Sequence, residues 1–182
     1  MSTTDEPVSF RRAEAADTRS VTRLLLGIYG EREYFVGDGP APERNLALRI
    51  ETDDTHRTLY LVATAARSCD AEPGGEVVGW LELHRSPARR LEHVALLTLA
   101  VAPRCRRRGV AGSLLRFSYD WCKAEGVVKV SLHVRAGNDA AIALYEREGF
   151  ELEGRERGQI RLEPGASGDE RYEDNLIMGK WL

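Results

Sequence analysis

Apolar residues recur along this chain at two spacings, and these spacings predict where helices and strands lie. Repeats of three and four residues predict helices over 17–29, 42–51, 110–125 and 139–148. Runs rich in β-branched and aromatic residues predict strands over 8–12, 58–65, 77–84, 93–101, 127–134, from 150 onward and over 172–178. This order predicts a mixed α/β sheet flanked by helices, in which antiparallel hairpins come first and a β-α-β unit follows.

Several of these segments carry more specific expectations. The run 93–101 is almost continuously apolar, which predicts a central strand buried on both faces. Turn-forming residues predict a hairpin loop over 68–75 and a turn over 164–168, and the polar segment 1–7 is expected to be a flexible tail. In the helix 110–125 we expect one buried stripe, formed by Val110, Leu114, Phe117 and Trp121.

Composition indicates a single globular domain over 8–182. The chain has 182 residues and a formal net charge of -3, which argues against a general nucleic-acid coat protein. It contains neither an apolar run of about 18 residues nor a signal-peptide pattern, so we expect a cytoplasmic protein. Cys69, Cys105 and Cys122 are scattered and the histidines lack ligand spacing, so neither a disulfide framework nor a metal site is predicted.

The most informative segment is the basic turn within 101–115, which reads VAPRCRRRGVAGSLL. A buried strand ends there, a helix begins, and no acidic residue occurs between Val101 and Tyr119. N–H groups at a helix start carry partial positive charge, so this turn could hold a diphosphate between its arginines. Taken alone, the pattern is equally typical of a solvated basic turn or of a nucleic-acid patch.

A second segment, NDAAIALYEREGF over 138–150, favours the diphosphate site over a solvated basic turn. The two segments together resemble the GCN5-related N-acetyltransferase (GNAT) family. The family's pyrophosphate motif, V-x-P-x-x-[RQ]-x-x-G-x-[GA] with two apolar residues after it, is matched here by Val101, Pro103, Arg106, Gly109, Ala111, Leu114 and Leu115. Its later motif, N-x-x-A-I-x-L-Y-x-x-x-G-F, is matched by Asn138, Ala141, Ile142, Leu144, Tyr145, Gly149 and Phe150. The resemblance implies the acyl-CoA N-acyltransferase fold and direct transfer of an acetyl group from acetyl-CoA to a primary amine.

The resemblance also implies where acetyl-CoA binds. Its acetyl and pantetheine portions would bond the backbone of Leu99, Ala100 and Val101. Backbone N–H groups of the turn would hold the pyrophosphate, at Arg106, Arg107, Arg108, Gly109, Val110, Ala111 and Gly112. Asn138 would face the pantetheine or adenosine side, cap its helix, or do both. Tyr145 would donate a proton to the departing CoA thiolate; the alternative is a purely structural core aromatic.

Two positions depart from the family pattern. Arg107 stands where many members have Gly, and its side chain is expected to point to solvent. Leu96 stands where many members have a glutamate that acts as general base, yet deprotonating an alkylamine of pKa about 10.4 at pH 7 costs about 4.6 kcal/mol. Strand alternation places Glu82 beside the face of Leu96, so Glu82 is the first candidate base, His84 the second and His133 a weaker third.

The acceptor site is predicted only in outline. In this family it forms from the first helices, their loop and the last hairpin, here 29–36 and 158–169. Glu31 and Glu33 could attract a cationic amine, or the loop could be partly exposed with its aromatic residues in the core. The candidate substrate contacts are Tyr29, Tyr34, Phe35 and His84.

Two rival functions remain open from the sequence. One is a non-catalytic, regulatory module that binds acyl-CoA, which the leucine at 96 mildly favours. The other is a nucleic-acid binder that uses the arginine turn, which the acidic net charge disfavours. The expected partner is therefore a small-molecule or peptide amine, with no nucleic acid, no membrane and no metal, and the resemblance allows a homodimer.

Overall fold

The computed structural model describes residues 7–37, 39–65, 75–163 and 168–182, which build one sheet with helices on both of its faces. Its strands are β1 (Val8–Arg12), β2 (Thr58–Ala65), β3 (Glu76–Arg85), β4 (Val94–Val101), β5 (Lys129–Arg135), β6 (Glu151–Leu162) and β7 (Arg171–Trp181). Its helices are α1 (Thr18–Gly30), α2 (Glu43–Thr52), α3 (Val110–Ala124) and α4 (Asp139–Arg147).

The predicted order of helices and strands is confirmed, and so is the mixed α/β sheet. The strands lie in the order β1-β2-β3-β4-β5-β7-β6. The pairing of β4 with β5 is parallel, and the other neighbouring strands of the described sheet pair antiparallel. The β4-α3-β5 segment is therefore the predicted β-α-β unit, and it joins the N-terminal hairpins to the C-terminal hairpin.

Successive residues of β3 show which helices cover each face of the sheet. A Cβ atom added at Gly79 would lie 3.0 Å from Leu114 Cδ1 and 3.1 Å from Val110 Cγ1, so α3 packs directly on the backbone there. Glu82 points to the opposite face, because side chains alternate along a strand, and Arg49 of α2 forms an ion pair with it. Helices α2 and α3 thus lie on opposite faces of the sheet.

The expectation that the strand 93–101 is buried on both faces is wrong. Ala95 and Leu97 are buried, but Leu96 is 49% exposed. The reason is that β5 pairs with β4 only from Val94 to Leu96, after which the two strands part. The open face of β4 becomes one wall of the cleft described below.

The expected buried stripe of α3 is also partly wrong, because Phe117 is 47% exposed. At 100° per residue, Phe117 lies about 90° from the middle of the stripe that faces the sheet. Val110, Leu114 and Trp121 are buried as expected. The other buried positions of the stripe are Leu115, Ser118 and Cys122.

Some expectations fall outside the described residues: the tail except Pro7, most of the hairpin loop 68–75 and most of the turn 164–168. Within the described ranges, no helix is long and apolar enough to cross a membrane. No group of three or more His, Cys, Asp or Glu side chains in the same ranges could hold a metal ion.

The packing of α3 gives a testable difference between two of its apolar residues. Leu114 is fully buried against the sheet, so Leu114→Ala should lower the free energy of unfolding by about 3 kcal/mol. Phe117→Ala removes a half-exposed ring and should cost less than about 1 kcal/mol. Urea unfolding curves with a common slope would measure both values, and equal losses would contradict this packing.

Candidate active site

A cleft of about 1280 Å³ opens where β4 and β5 separate. One end, called here the cofactor end, is lined by the end of β4, the turn that follows it, and helices α3 and α4. The other, called here the acceptor end, is lined by α1, α2, the loop between them, and parts of β3, β6 and β7. The volume exceeds the roughly 300–1,000 Å³ of ordinary small-ligand pockets, so the cleft has room for two substrates.

The turn before α3 presents backbone N–H groups to the cofactor end. The first N–H groups of a helix lack a carbonyl partner inside that helix, and here they belong to Val110, Ala111 and Gly112. Gly109 has a φ of 80° and Arg107 a φ of 61°, both in the left-handed region. Such residues among right-handed ones turn successive N–H groups inward and form a concave anion site.

Arg106 is engaged differently from the sequence expectation. Its backbone N–H donates to the carbonyl of Pro103 at 3.2 Å, and its side chain makes a two-pronged ion pair with Glu31 at 2.6 and 2.8 Å. The guanidinium also lies 4.7 Å from the centre of the Tyr34 ring. Arg106 therefore ties the cofactor turn to the loop after α1. Arg104 is likewise paired, with Glu76 at 2.6 Å.

The two residues predicted on α4 both line the cleft. Asn138 caps α4, its side-chain oxygen accepting from the Ala141 N–H at 3.1 Å, while its amide nitrogen can still donate into the cleft. Tyr145 is only 7% exposed and packs on Phe150 with ring centres 5.5 Å apart. Burial raises the pKa of Tyr145 above its ordinary value, so the phenol keeps its proton at neutral pH.

The three candidate bases occupy different positions. Glu82 lines the cleft, but its carboxylate accepts a charge-assisted hydrogen bond from Arg49. His84 contacts the Thr58 hydroxyl at 3.3 Å and does not line the cleft, although it was predicted as a substrate contact. His133 lines the cleft from β5, two residues beyond Ser131, which pairs with Leu96.

The three aromatic residues predicted for the acceptor site do line it. Tyr29 and Phe35 pack with ring centres 4.8 Å apart, and Tyr34 lies beneath Arg106. Burial, with the nearby charge of Glu82, raises the pKa of Tyr29. Glu31, which was expected to attract an amine, is instead occupied by Arg106.

Sequence reasoning missed several residues of the acceptor end. Arg49 and Trp80 belong to an amphipathic helix and an apolar strand, where local patterns give them only structural roles. Asn175 is buried, and its side-chain nitrogen donates to Glu156 at 2.8 Å. A buried asparagine inside the predicted last strand was the one available signal, because such a group needs a polar partner.

The family model described as "Acetyltransferase (GNAT) family" matches residues 31–150 of this chain. The chain belongs to this family. It therefore transfers an acetyl group from acetyl-CoA to an amine, and it is an enzyme of the N-acetyltransferase class.

Named relatives and a solved structure agree with this assignment. The chain is 41% identical over 178 residues to a [Ribosomal protein bS18]-alanine N-acetyltransferase of Salmonella typhimurium, covering 98% of this chain and 92% of the relative. It is 32% identical over 162 residues to the N-alpha-acetyltransferase RimI of Mycobacterium tuberculosis, covering 89% and 90%. A phosphinothricin acetyltransferase from Sinorhizobium meliloti, solved with AcCoA, shares the fold with a TM-score of 0.79, 24% identity and coverage of 96% and 88%.

The residues of the cofactor end fit acetyl-CoA on structural grounds. The concave turn can accept phosphate oxygens, and the edge of β4 beyond Leu96 is left without a strand partner on the β5 side. Gly112 leaves the first turn of α3 without a side chain at a point where a Cβ atom would lie 2.7 Å from Glu148 Oε1. This acetyltransferase thus offers hydrogen bonds along β4 and an anion site at the start of α3.

Proposed function

We propose that this acetyltransferase modifies the α-amine of a peptide or protein N-terminus. The observation that carries the proposal is the charge at the acceptor end. The arginines that line the cleft nearest that end are each held by a carboxylate of the described chain, in the pairs Arg49–Glu82, Arg106–Glu31 and Arg135–Glu173. A free amino acid would bring a carboxylate that finds no available cation there, whereas a peptide N-terminus carries its amine without a nearby carboxylate.

The acid–base chemistry of the amine supports the same acceptor. An α-amine has an ordinary pKa of about 7.7–8.0, so neutralising it at pH 7 costs about 1 kcal/mol, against about 4.6 kcal/mol for a lysine. Leu96 supplies no carboxylate to the wall of the cleft, and the carboxylate of Glu82 is held by Arg49. A site with such weak basic groups suits the α-amine better than a lysine, because roughly a tenth of the α-amine is already neutral at pH 7.

The relatives support an N-terminal acceptor as well. One is named for the acetylation of an alanine of a ribosomal protein and the other as an N-alpha-acetyltransferase. Each alignment covers about nine-tenths of this chain or more, so it includes both ends of the cleft.

In the proposed mechanism, residues on both walls of the cleft take part in substrate binding and proton transfer. The cofactor supplies the acetyl thioester. The amine enters between Tyr29, Trp80 and Glu82 at the acceptor end. His133 accepts the amine proton, and the Tyr145 hydroxyl donates its proton to the departing sulfur.

We prefer His133 to Glu82 as the base for a structural reason. A proton on Glu82 would weaken its ion pair with Arg49, whereas His133 has no hydrogen-bond or ion-pair partner among the described residues. The register of β4, β5 and β3 also puts His133 on the same sheet face as Leu96 and Glu82.

The choice of acceptor is tested with three substrates at pH 7. We expect a peptide with a free N-terminus and no lysine to react with a kcat/KM about 100-fold above that of an N-blocked peptide containing one lysine. We expect a similar margin over the corresponding free amino acid. Release of CoA measures all three rates, and equal rates for the lysine peptide or the free amino acid would contradict an N-terminal acceptor.

Tyr145→Phe keeps the ring that packs on Phe150 and removes the hydroxyl. It should lower kcat about 100-fold while leaving the dissociation constant of acetyl-CoA within about threefold. Because the pKa of Tyr145 is raised, the proton donor persists at high pH, and kcat of the unaltered enzyme should not fall between pH 8 and 10. An unchanged kcat in the variant would remove Tyr145 from the mechanism.

The base is identified by comparing His133→Gln with Glu82→Gln. We expect His133→Gln to lower kcat/KM for the peptide about tenfold at pH 7, with a smaller loss at pH 9, where the α-amine is neutral without help. Glu82→Gln should lower it less and without that recovery. The reverse ranking, with the recovery seen for Glu82→Gln, would make Glu82 the base instead.

A further inference from the structure

Glu156 on β6 is a carboxylate of the cleft with no cation beside it. The carboxylates that line the cleft belong to Glu82, Glu148 and Glu156. Glu82 is paired with Arg49 and Glu148 with Arg116, whereas Glu156 has no ion-pair partner among the described residues. The negative charge of Glu156 is therefore available to a ligand.

Asn175 beside it also lacks part of its hydrogen bonding. Its side chain lines the cleft, yet the residue is only 6% exposed, and its Nδ2 donates to Glu156 Oε2 at 2.8 Å. The side-chain oxygen of Asn175 accepts no hydrogen bond from the described residues, although buried polar groups are normally satisfied. The two side chains thus present oxygen atoms that need N–H donors from a ligand.

The strand register places these two residues in one row with Arg135. Arg135 lies opposite Asn175 on β7, and Asn175 lies opposite Glu156 on β6, so the three side chains share a face of the sheet. The guanidinium of Arg135 is held by Glu173 through two hydrogen bonds of 2.8 and 2.5 Å. The charge of Arg135 is thus offset, and the row keeps the negative charge of Glu156.

This row lies to one side of the point where the amine would react. β6 is separated from β5 by β7, so Glu156 is about 10 Å across the sheet from His133. That distance is too long for Glu156 to take the amine proton directly. An extended peptide advances about 3.3 Å per residue, so a long side chain on its second or third residue can reach Glu156.

We propose that Glu156 and Asn175 bind the cationic side chain of an arginine or lysine at the second or third position of the acceptor peptide. Guanidinium and ammonium groups offer only N–H donors, which match the two oxygen groups of this pair. A side chain without N–H donors would leave the buried Asn175 oxygen unsatisfied. The inference rests on the proposed N-terminal acceptor and adds to it a preference for a basic residue close to the N-terminus.

Peptides of six residues with a free N-terminus, an amidated C-terminus and no other charge test this preference. Arginine is placed at the second, third or sixth position, and the matched peptide has glutamine at all three. Arginine is used because it adds no second amine that could be acetylated. We expect kcat/KM about tenfold above that of the glutamine peptide for arginine at the second or third position, and within about twofold of it for the sixth.

Glu156→Gln should reduce the preference for arginine over glutamine to within about twofold. The new side chain keeps an oxygen that can accept from Asn175, so the variant removes the charge and leaves the contact between β6 and β7 in place. Glu151→Gln is the matched control, because it removes the same charge from the same strand at a position that does not line the cleft, and it should keep the tenfold preference. Glu156→Lys should instead favour a peptide with glutamate at the same position.

Equal rates of the unaltered enzyme for the arginine and glutamine peptides would overturn this inference. A preference that survives Glu156→Gln, or that Glu151→Gln also removes, would overturn it as well. All of these outcomes concern selectivity among N-termini that do react. If none of the peptides were acetylated, the N-terminal acceptor itself would be contradicted, and this inference with it.

Discussion

The separation of β4 from β5 is the constraint on which the rest of the site depends. Their parallel pairing lasts only from Val94 to Leu96, while β5 pairs with β7 along its whole length and β4 stays with β3. Each strand thus follows its antiparallel neighbour, and a gap opens between them. Backbone groups along the freed edge of β4 need partners, because unpaired and desolvated amides are costly. A ligand that lies along this edge would satisfy them, so a break in the sheet is suited to be a binding site.

Two arginines fix the acceptor wall to the strands that bound this gap. Arg106 holds Glu31 from the turn after β4, and Arg135 at the end of β5 donates to the Arg32 carbonyl at 2.7 Å. Arg135 is itself held by Glu173, which also accepts from the Gly137 N–H at 2.7 Å. The loop after α1 is thus tied to both sides of the gap. The acceptor end takes its shape from the same strands that border the gap, so two substrates in the cleft would meet in a defined geometry.

Local patterns in the sequence were sufficient for the helices, the strands and the position of the turn before α3, but not for contacts between distant segments. Helices and strands follow from apolar spacing, and the turn follows from glycines at a helix start, since both signals lie within a few residues. The partner of Arg106 lies 75 residues away, so nothing near it in the sequence shows that Glu31 occupies its side chain. The exposure of Leu96 is similar, because it depends on where β5 leaves the sheet. Phe117 was wrongly predicted to be buried, because apolar spacing locates the middle of a buried helical stripe more reliably than its edges.

The charges along the cleft differ between its two ends, and each end suits the charge of a different substrate. The lining arginines without a described partner, Arg107 and Arg147, lie at the cofactor end, where their charge would attract an anionic ligand. Toward the acceptor end the arginines are paired, so their positive charge is largely offset and an ammonium group is not repelled. Glu82 keeps a carboxylate beside the route of the amine, yet its ion pair limits how readily it takes a proton. A lysine needs a base that can remove its proton at a cost of about 4.6 kcal/mol, whereas an N-terminal amine needs only about 1 kcal/mol. The paired arginines and the ion pair that holds Glu82 thus favour the same acceptor.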